Sequence, residues 1–285
     1  MSLEGVLLID KPKGPSSFEV VRRVRALTGQ KRVGHAGTLD PLASGLMVVA
    51  VGRYTKLCSY LTEASKVYET IIELGVTTTT DDQEGEVLQR KPIDHLSEEE
   101  TILACQSFKG VISQQPPKFS AVKINGRRAY SMARALEPFE LPLRSVEIFD
   151  IVIKEVALPY VVLSVHCSKG TYIRSLARDI GDFLQVGAYA RAIRRFRSGS
   201  FDVELAEKLD DLDKQSLPLK LLSKKAALGG MDAIDISLSD RENAIHGRPL
   251  RMVYPHNKAS VAFYEDNPVA IVVPDCEKTR VARVL

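Results

Sequence analysis

The sequence has few of the features that mark membrane, metal-binding or disulfide-rich proteins. No apolar run approaches the roughly 20 residues that a membrane-spanning helix needs, and no long apolar stretch follows a basic start at the N-terminus. The four cysteines form neither a CxxC pair nor a Cys/His ligand spacing; they are Cys58, Cys105, Cys167 and Cys276. We therefore expect a cytoplasmic protein with reduced thiols and without a metal site.

Nucleotide-binding motifs are also missing, because the sequence contains neither GxxxxGK[ST] nor GxGxxG. Its 285 residues, with 45% hydrophobic and 26% charged side chains, are typical of a globular protein. This length suits one large domain, or a large domain with a small appendage.

The formal net charge of +3 is too small to indicate nucleic-acid binding by itself. Four arginines nevertheless lie within seven positions beside Tyr189 and Phe196; they are Arg191, Arg194, Arg195 and Arg197. Such a cluster is compatible with a surface that follows phosphates. A solvated face explains it equally well, and the sequence leaves both interpretations open.

The N-terminal third predicts alternating strands and helices. Gly5–Asp10 is a short apolar run that reads as a strand. The capping-box spacing of Ser16 and Glu19 predicts a helix that stops at Gly29. Its expected apolar face comprises Phe18, Val21, Val24 and Leu27. A glycine-rich loop then leads into Leu46–Val51, a run suited to a buried central strand, and a short amphipathic segment around Leu57–Leu61.

The middle of the chain predicts further strands. Residues Val67–Leu74 alternate and place Tyr68 on the apolar face. A second capping box, at Ser97 and Glu100, predicts a helix that ends near Gly110. Residues Gln114–Ser131 read as a long surface loop. Two long strands follow at Val146–Val156 and Val161–Cys167, and a helix begins near Thr171.

We expect an α+β fold with a mixed or antiparallel central sheet and flanking helices. The segment Leu205–Leu228 looks mainly helical, and Gly229–Gly230 is a candidate linker. Short apolar runs at Ala259–Phe263 and Val269–Val273 predict a small β-rich appendage. The expected domains are therefore residues 1–229 and residues 230–285.

The most informative stretch is GHAGTLDPLASG at residues 34–45. Glycines allow close approach of a backbone to a ligand, and the residue before a proline is pushed to an extended conformation. Asp40 is thus expected on a stiff turn, where its carboxylate can act as a nucleophile or a base. Physical reasoning alone favours a simpler role, in which Asp40 hydrogen-bonds its own turn.

This stretch resembles the signature of the TruB family of tRNA pseudouridine synthases. Four further segments are similar to family segments and occur in order: GVLLIDKPKGPSS (5–17), KVYETIIELGVTTTTDD (66–82), PPKFSAVKINGRRAYSMAR (116–134) and CSKGTYIRSLARDIG (167–181). The resemblance implies a pseudouridine synthase fold. It also implies isomerisation of uridine to pseudouridine in the T loop of tRNA, at uridine-55.

The resemblance also implies roles for individual residues. It places the catalytic carboxylate on Asp40, base stacking on Tyr68 and the partner of the carboxylate on Arg174. Tyr172 and Ile193 are expected to line the uracil pocket. His35, Lys169 and Arg194 are expected to contact the RNA substrate, and Lys11-Pro12 to support the pocket.

The implied reaction cleaves a glycosidic bond, rotates the uracil and rejoins it through carbon, so no metal, nucleotide or redox cofactor is expected. A base in folded RNA must first be extruded, stacked on an aromatic ring and read at its edge. Whether Asp40 attacks the sugar or the ring, or removes a sugar proton, stays open. Each route needs an ionised carboxylate beside the flipped nucleotide.

Two alternatives to this enzyme remain. The first is a tRNA-binding or tRNA-folding factor with the same fold. The second is a phosphotransferase with an aspartyl nucleophile, which is disfavoured because Thr38–Leu42 offers no second carboxylate to hold magnesium. If the chain is an enzyme of the TruB type, we expect tRNA as its partner, no membrane association and a monomer.

Residues 230–285 are similar to an abbreviated PUA-type RNA-binding appendage. Deletion of the chain after Gly230 is therefore expected to weaken tRNA binding more than the chemical step. Filter binding and single-turnover rates of a truncated protein would measure the two effects separately. Unchanged affinity of a soluble truncation would contradict the expectation.

Overall fold

The computed structural model describes residues 3–228, 230–254, 258–275 and 278–285. In the first half of the chain the strands are β1 (Gly5–Lys11), β2 (Val33–His35), β3 (Ser44–Val51), β4 (Lys66–Leu74), β5 (Val76–Thr78), β6 (Val87–Arg90), β7 (Gly110–Gln114), β8 (Lys123–Ile124) and β9 (Arg127–Arg128). In the second half they are β10 (Arg144–Ala157), β11 (Tyr160–Cys167), β12 (Ala188–Ser198), β13 (Phe201–Asp202), β14 (Glu207–Lys208), β15 (Asp232–Asp235), β16 (Ser260–Tyr264), β17 (Asn267–Asp275) and β18 (Lys278–Val284).

The helices are shorter than the strands in total length and lie between them in the chain. They are α1 (Ser17–Thr28), α2 (Cys58–Glu63), α3 (Glu98–Gln106), α4 (Ala129–Arg134), α5 (Ile173–Phe183), α6 (Leu217–Lys220), α7 (Lys224–Leu228) and α8 (Leu238–Ile245). Short 3₁₀ helices occupy Gly52–Leu57, Val203–Leu205 and Leu209–Asp211. None of the helices in the described ranges is long and apolar enough to cross a membrane.

A ten-stranded sheet forms the centre of the molecule, with the main order β14-β1-β3-β12-β4-β11-β10-β7 and with β2 and β13 paired at its sides. The β1–β14 and β3–β12 pairs are parallel, and the other pairs are antiparallel. Strands β1 and β3 are buried along nearly their whole length, which explains their continuous apolar sequences. The predicted mixed sheet with flanking helices is confirmed.

The local sequence signals at helix ends are largely confirmed. Ser16 and Glu19 form the predicted capping box of α1, and Gly29 ends the helix in a left-handed conformation. Ser97 and Glu100 form the second capping box, at α3. The apolar face of α1 differs from the prediction, because Phe18 is exposed whereas Val20 joins Val21 and Val24 in the core.

Two segments differ in secondary structure from what the sequence predicted. Residues Gln114–Ser131 are not one long loop, since the chain there forms the β8–β9 hairpin and enters α4. A small apolar cluster stabilises this part; its buried members are Val122, Ala129 and Leu141. Leu205–Leu228 is only partly helical, because β14 and 3₁₀ turns follow the edge of the sheet before α6 and α7 begin.

The C-terminal part forms a separate four-stranded sheet, β15-β16-β17-β18, beside α8. Its core is continuous with the central sheet, because Val261, Phe263 and Ile271 pack in one cluster with Val6 and Leu8 of β1. The boundary between residues 229 and 230 stays a prediction. Gly229 of the candidate linker lies outside the described residues, as does Cys276.

Gly45 marks a close approach between β3 and β12. A Cβ atom at this position would lie 2.3 Å from the backbone oxygen of Arg195, and Gly45 has a φ of +101°. Only glycine combines that backbone conformation with this contact. Gly45 therefore fixes how near the strand after the glycine-rich loop lies to β12.

Substitution of Gly45 by alanine is expected to destabilise the fold strongly, by more than about 3 kcal/mol. The added methyl group would force β3 and β12 apart, and alanine would also be strained at this positive φ. Thermal unfolding followed by circular dichroism would measure the loss. The matched control is Gly110→Ala, at a φ of +108° with no atom within 4 Å of the added Cβ. Equal losses in both variants would contradict the role of the close approach.

Candidate active site

A cavity of about 430 Å³ opens beside the glycine-rich loop. This volume lies in the range of small-molecule sites and is enough for one nucleobase with its sugar. The structure brings six of the eight predicted site residues to its wall: His35, Asp40, Tyr68, Tyr172, Arg174 and Ile193. These residues come from the loop and four separate elements, so the site exists only in the folded chain.

Hydrogen bonds hold the loop around Asp40 along its whole length. Arg195 donates to the carbonyls of Gly37 and Thr38 at 3.2 and 3.4 Å. The Ser17 hydroxyl accepts from Leu39 N–H and donates to Leu39 C=O, both at 2.8 Å. Asp40 C=O accepts from Ala43 N–H at 3.1 Å. The expected stiff turn is therefore present, and neighbouring elements hold the backbone that carries Asp40.

The carboxylate of Asp40 forms an ion pair rather than capping its own turn. Arg174 Nη2 lies 2.9 Å from Asp40 Oδ2, and Arg174 Nη1 lies 3.3 Å from Asp82 Oδ2. The two carboxylates differ in access, since the side chain of Asp40 is 34% exposed and that of Asp82 is 4% exposed. Asp40 is thus the carboxylate of this pair that a ligand in the cavity can reach.

Four hydrogen-bond and ion-pair partners fix the orientation of Arg174. Besides the two carboxylates, Nη1 donates to Thr80 C=O and Nη2 donates to Phe119 C=O, both at 2.9 Å. The side chain is 3% exposed. Arg174 follows Tyr172, the N-cap of α5, so its charge opposes the helix dipole, and the two carboxylates compensate for this placement.

Strands β4 and β12 supply one wall of the cavity. Tyr68 of β4 lies opposite Arg195 of β12 in the register, and Ile193 is two residues earlier on the same strand. Alternate residues of a strand point to opposite faces, so Ile193 and Arg195 reach the cavity together. Burial raises the pKa of Tyr68, which keeps its phenol neutral.

His35 and Tyr172 complete the predicted set in the cavity. Nδ1 of His35 is buried and has no hydrogen-bond partner among the described residues. Burial lowers the pKa of His35, so its ring is neutral at pH 7 and able to accept or donate a hydrogen bond. The backbone of Tyr172 is held by Gln114, whose side-chain amide exchanges hydrogen bonds of 2.8 and 3.1 Å with it.

The structure places the other two predicted residues away from this wall. Arg194 points to the opposite face of β12, where it makes a bidentate pair with Asp10 at 2.8 and 3.0 Å. Lys169 is exposed beside the cavity mouth and pairs with Glu63, whereas its neighbour Gly170 lines the cavity.

The four arginines of β12 do not form one continuous basic surface. Arg195 is buried, and Arg191 pairs with Glu73 and lies over the ring of Tyr160. The alternation of the strand, interrupted by register irregularities between Ala190 and Ala192 and between Arg195 and Arg197, divides these arginines between two faces.

Sequence reasoning missed three further charged side chains at the site: Lys66, Asp82 and Arg195. Lys66 is buried and lines the cavity, and its ammonium donates to the carbonyls of Thr62 and Ala64. Its spacing of two residues from Tyr68 on β4 was an available signal. The partnership of Asp82 and Arg174 joins residues 92 positions apart and had no such local signal.

Lys11 has the supporting role that the resemblance implied. Its ammonium is buried and donates to the carbonyls of Pro12, Pro15 and Pro41, at 2.9, 2.9 and 3.3 Å. It therefore connects the end of β1 to the residue that follows Asp40. Burial lowers the pKa of Lys11 to about 8, although the Asp40 carboxylate acts in the opposite direction.

The arrangement suits chemistry by a carboxylate on an uncharged planar ligand. Arg174 pairs with the Asp40 carboxylate and orients it, and the cavity combines an aromatic ring at Tyr68 with an aliphatic wall at Ile193. Among the described residues, no three His, Cys, Asp or Glu side chains come together in a way that could hold a metal ion.

Comparisons with known proteins match most of the chain to one family. Residues 25–173 match the family described as TruB family pseudouridylate synthase (N terminal domain). The tRNA pseudouridine synthase B of Thermobifida fusca (strain YX) is 45% identical over 252 residues, covering 86% of this chain and 85% of the relative. The protein of that name from Mycobacterium bovis (strain BCG / Pasteur 1173P2) is 39% identical over 286 residues, covering 99% and 95%.

Solved structures with the same fold include chains from two Cbf5-containing complexes. The crystal structure of a Cbf5-Nop10-Gar1 complex contains a chain that is 26% identical, with a TM-score of 0.76 and coverage of 98% of this chain and 84% of that chain. A chain in the archaeal box H/ACA sRNP Nop10-Cbf5 complex is 24% identical, with a TM-score of 0.74 and coverage of 99% and 86%, which shows the fold alone.

Titration of Lys11 is expected to make stability depend on pH. Between about 8 and 10.5, the unfolded chain keeps a proton that the native state has released, so the free energy of unfolding rises with pH. Lys11→Met removes this contribution. Across the window, the stability difference between the two proteins should shift towards the native protein by about 3 kcal/mol, because each unit of pKa shift corresponds to about 1.4 kcal/mol.

Urea unfolding at several pH values, followed by circular dichroism, would measure this difference. Lys13→Met is the control, because Lys13 is exposed and only two residues away. Its curve should run parallel to that of the unsubstituted protein. A parallel curve for Lys11→Met would show that burial of Lys11 does not perturb its titration.

Proposed function

The chain belongs to the TruB family of pseudouridylate synthases, and from this premise we propose that it isomerises uridine to pseudouridine in the T loop of tRNA, at uridine-55. The observation that carries the proposal is the ion pair of Asp40 with Arg174 at the wall of a cavity of nucleobase size. The pair holds an accessible carboxylate where a flipped nucleotide would lie. The enzyme is an isomerase and needs no cofactor in this proposal.

The target uridine must leave the RNA stack to reach Asp40. Tyr68 would stack against the extruded uracil, and Ile193 would contact it as part of the same wall. Tyr172 would form another side of the uracil pocket. A site of this kind compensates for lost base stacking with new contacts, which is how base-flipping enzymes bind their target.

Asp40 is the proposed catalytic residue because its carboxylate is the accessible member of the Arg174 pair. Its attack on the sugar or ring, or its removal of a sugar proton, would start cleavage of the glycosidic bond. The detached uracil then rotates within the pocket and rejoins the sugar through carbon. Arg174 holds the carboxylate in a fixed orientation throughout, so its effect is on the chemical step.

Contacts outside the cavity would hold the folded RNA. We assign Lys169 and Arg194 to this role, together with His35 at the cavity wall. Lys169 is exposed at the mouth, and Arg194 would have to act from the other face of β12 or exchange its Asp10 partner. The C-terminal residues 230–285 are proposed as an abbreviated PUA-like RNA-binding domain, and the protein as a monomer.

A tRNA-folding factor of the same fold is the second candidate function. Unfolding of the tRNA elbow around the cavity would use the same RNA contacts without chemistry. The buried guanidinium of Arg174, held against two carboxylates, favours the enzyme, because RNA binding alone gives no reason for a negative charge at Asp40 beside a polyanion.

Substitution of Asp40 by asparagine is expected to abolish pseudouridine formation while tRNA binding persists. The change keeps the side-chain volume and removes the negative charge that the chemistry needs, so the single-turnover rate should fall by at least about a thousandfold. The assay is site-resolved detection by carbodiimide adduct and reverse-transcription stop, in an unmodified tRNA transcript with chelator present.

Asp150→Asn is the matched control, because Asp150 is an exposed aspartate paired with Lys109. It should convert tRNA at the native rate. A stop at uridine-55 that survives in Asp40→Asn would refute the catalytic role. No stop with the native protein, despite tight tRNA binding, would support the folding factor.

A further inference from the structure

Helix α5 presents a second arginine one turn after Arg174. Residues four apart lie on the same face of a helix, so Arg178 is directed towards the same neighbouring segments as Arg174. Arg178 Nη1 lies 3.0 Å from Asp81 Oδ2, and Nη2 donates to Gln115 C=O at 2.9 Å. Nε and Nη2 also donate to the carboxylate of Asp179 at 3.0 and 2.8 Å.

The partners of Arg178 are direct chain neighbours of the partners of Arg174. Arg174 binds Thr80 C=O and the Asp82 carboxylate, and Arg178 binds the side chain of Asp81 between them. The two guanidinium groups therefore hold three consecutive residues of the loop that follows β5. Movement of Asp81 would change the position of the carboxylate that orients Arg174.

The backbone at Asp81 is in the left-handed conformation. Its φ is +58°, which is uncommon for residues other than glycine, although asparagine and aspartate adopt it more readily than most. Its carbonyl accepts from Ala190 N–H of β12 at 3.1 Å. Its carboxylate is half-buried, and burial raises the pKa of Asp81 while the guanidinium of Arg178 lowers it.

The same face of α5 also holds the start of the β7–β10 segment (residues 115–143). Ser175 Oγ donates to Gln115 C=O at 2.7 Å, where Arg178 also donates, and Arg174 donates to Phe119 C=O. Ser120 and Ala121 of this segment line the cavity. Arg178 thus contacts both the loop that carries Asp82 and the first residue of the β7–β10 segment, which lines one side of the cavity.

We propose that Arg178 is a positioning residue for the reaction, which acts through Asp82 and Arg174 on the orientation of Asp40. It is not a catalytic residue, since it does not line the cavity. The chain of contacts runs from Arg178 to Asp81, through the backbone to Asp82, and from Asp82 through Arg174 to Asp40. This inference rests on the proposed function, because its readout is pseudouridine formation.

The test compares the effect of Arg178→Ala in two backgrounds. In the otherwise native protein, Arg178→Ala is expected to lower the single-turnover rate about tenfold, since small displacements of reacting groups are costly. The dissociation constant for tRNA should change less than about twofold. In an Asp82→Asn background, which already lacks the charged contact to Arg174, Arg178→Ala should lower the rate less than about twofold further.

Two additional variants keep the test independent of folding defects. Asp81→Asn tolerates the left-handed backbone and removes only the charge that pairs with Arg178. It is expected to reproduce the rate loss of Arg178→Ala, and Arg178→Lys should recover part of the rate. Arg23→Ala is the matched control, because Arg23 on α1 pairs with Asp210 outside the cavity and should leave the rate unchanged.

Thermal unfolding confirms that each variant is folded at the assay temperature. A native rate in folded Arg178→Ala and Asp81→Asn would overturn the proposal, as would an equal fold-loss in both backgrounds. If Arg178→Ala does not fold, the proposal is tested by comparing the rate loss caused by Asp81→Asn in the native and the Asp82→Asn backgrounds. Absence of pseudouridine with the native protein would instead be a failure of the proposed function.

Discussion

The buried guanidinium of Arg174 is the interaction on which the site depends. A buried cation is costly unless its charge is compensated, and Arg174, which is 3% exposed, is paired with Asp40, Asp82 and two backbone carbonyls. Its buried Nε has no hydrogen-bond partner among the described residues, so the two carboxylates carry most of the compensation. Removal of either carboxylate would leave the guanidinium charge less compensated in the interior. The arrangement therefore fixes the direction of the Asp40 carboxylate, and it connects the glycine-rich loop, the loop after β5 and α5.

The central sheet provides the rigid frame for this pair. Gly45 allows β3 to approach β12 so closely that Arg195 reaches the carbonyls of Gly37 and Thr38 from the neighbouring strand. Ser17 and Lys11 hold the loop from the other side. A group on a loop is placed accurately only when its backbone is held by regular elements, and here β12, β1 and α1 supply the side chains that bind the loop backbone.

Electrostatic compensation links the site to stability. Lys11 and Lys66 are both buried, and burial lowers the pKa of each to about 8. Both ammonium groups donate to backbone carbonyls at or next to residues that form the cavity wall, so these two cations support the structure around the Asp40 carboxylate. A site with this much buried charge gives up stability for a fixed geometry, as expected for residues held in place for function.

Local periodicity and capping signals in the sequence were enough to predict the mixed sheet and the capped helices, and the resemblance of contiguous segments to a known family pointed to eight site residues, of which six line the cavity. Only the tertiary structure paired Asp82 with Arg174, moved Arg194 to the far face of β12 and ordered residues 114–131 as a hairpin and helix. These outcomes depend on which distant strands meet and in what register, and local sequence carries little information about that.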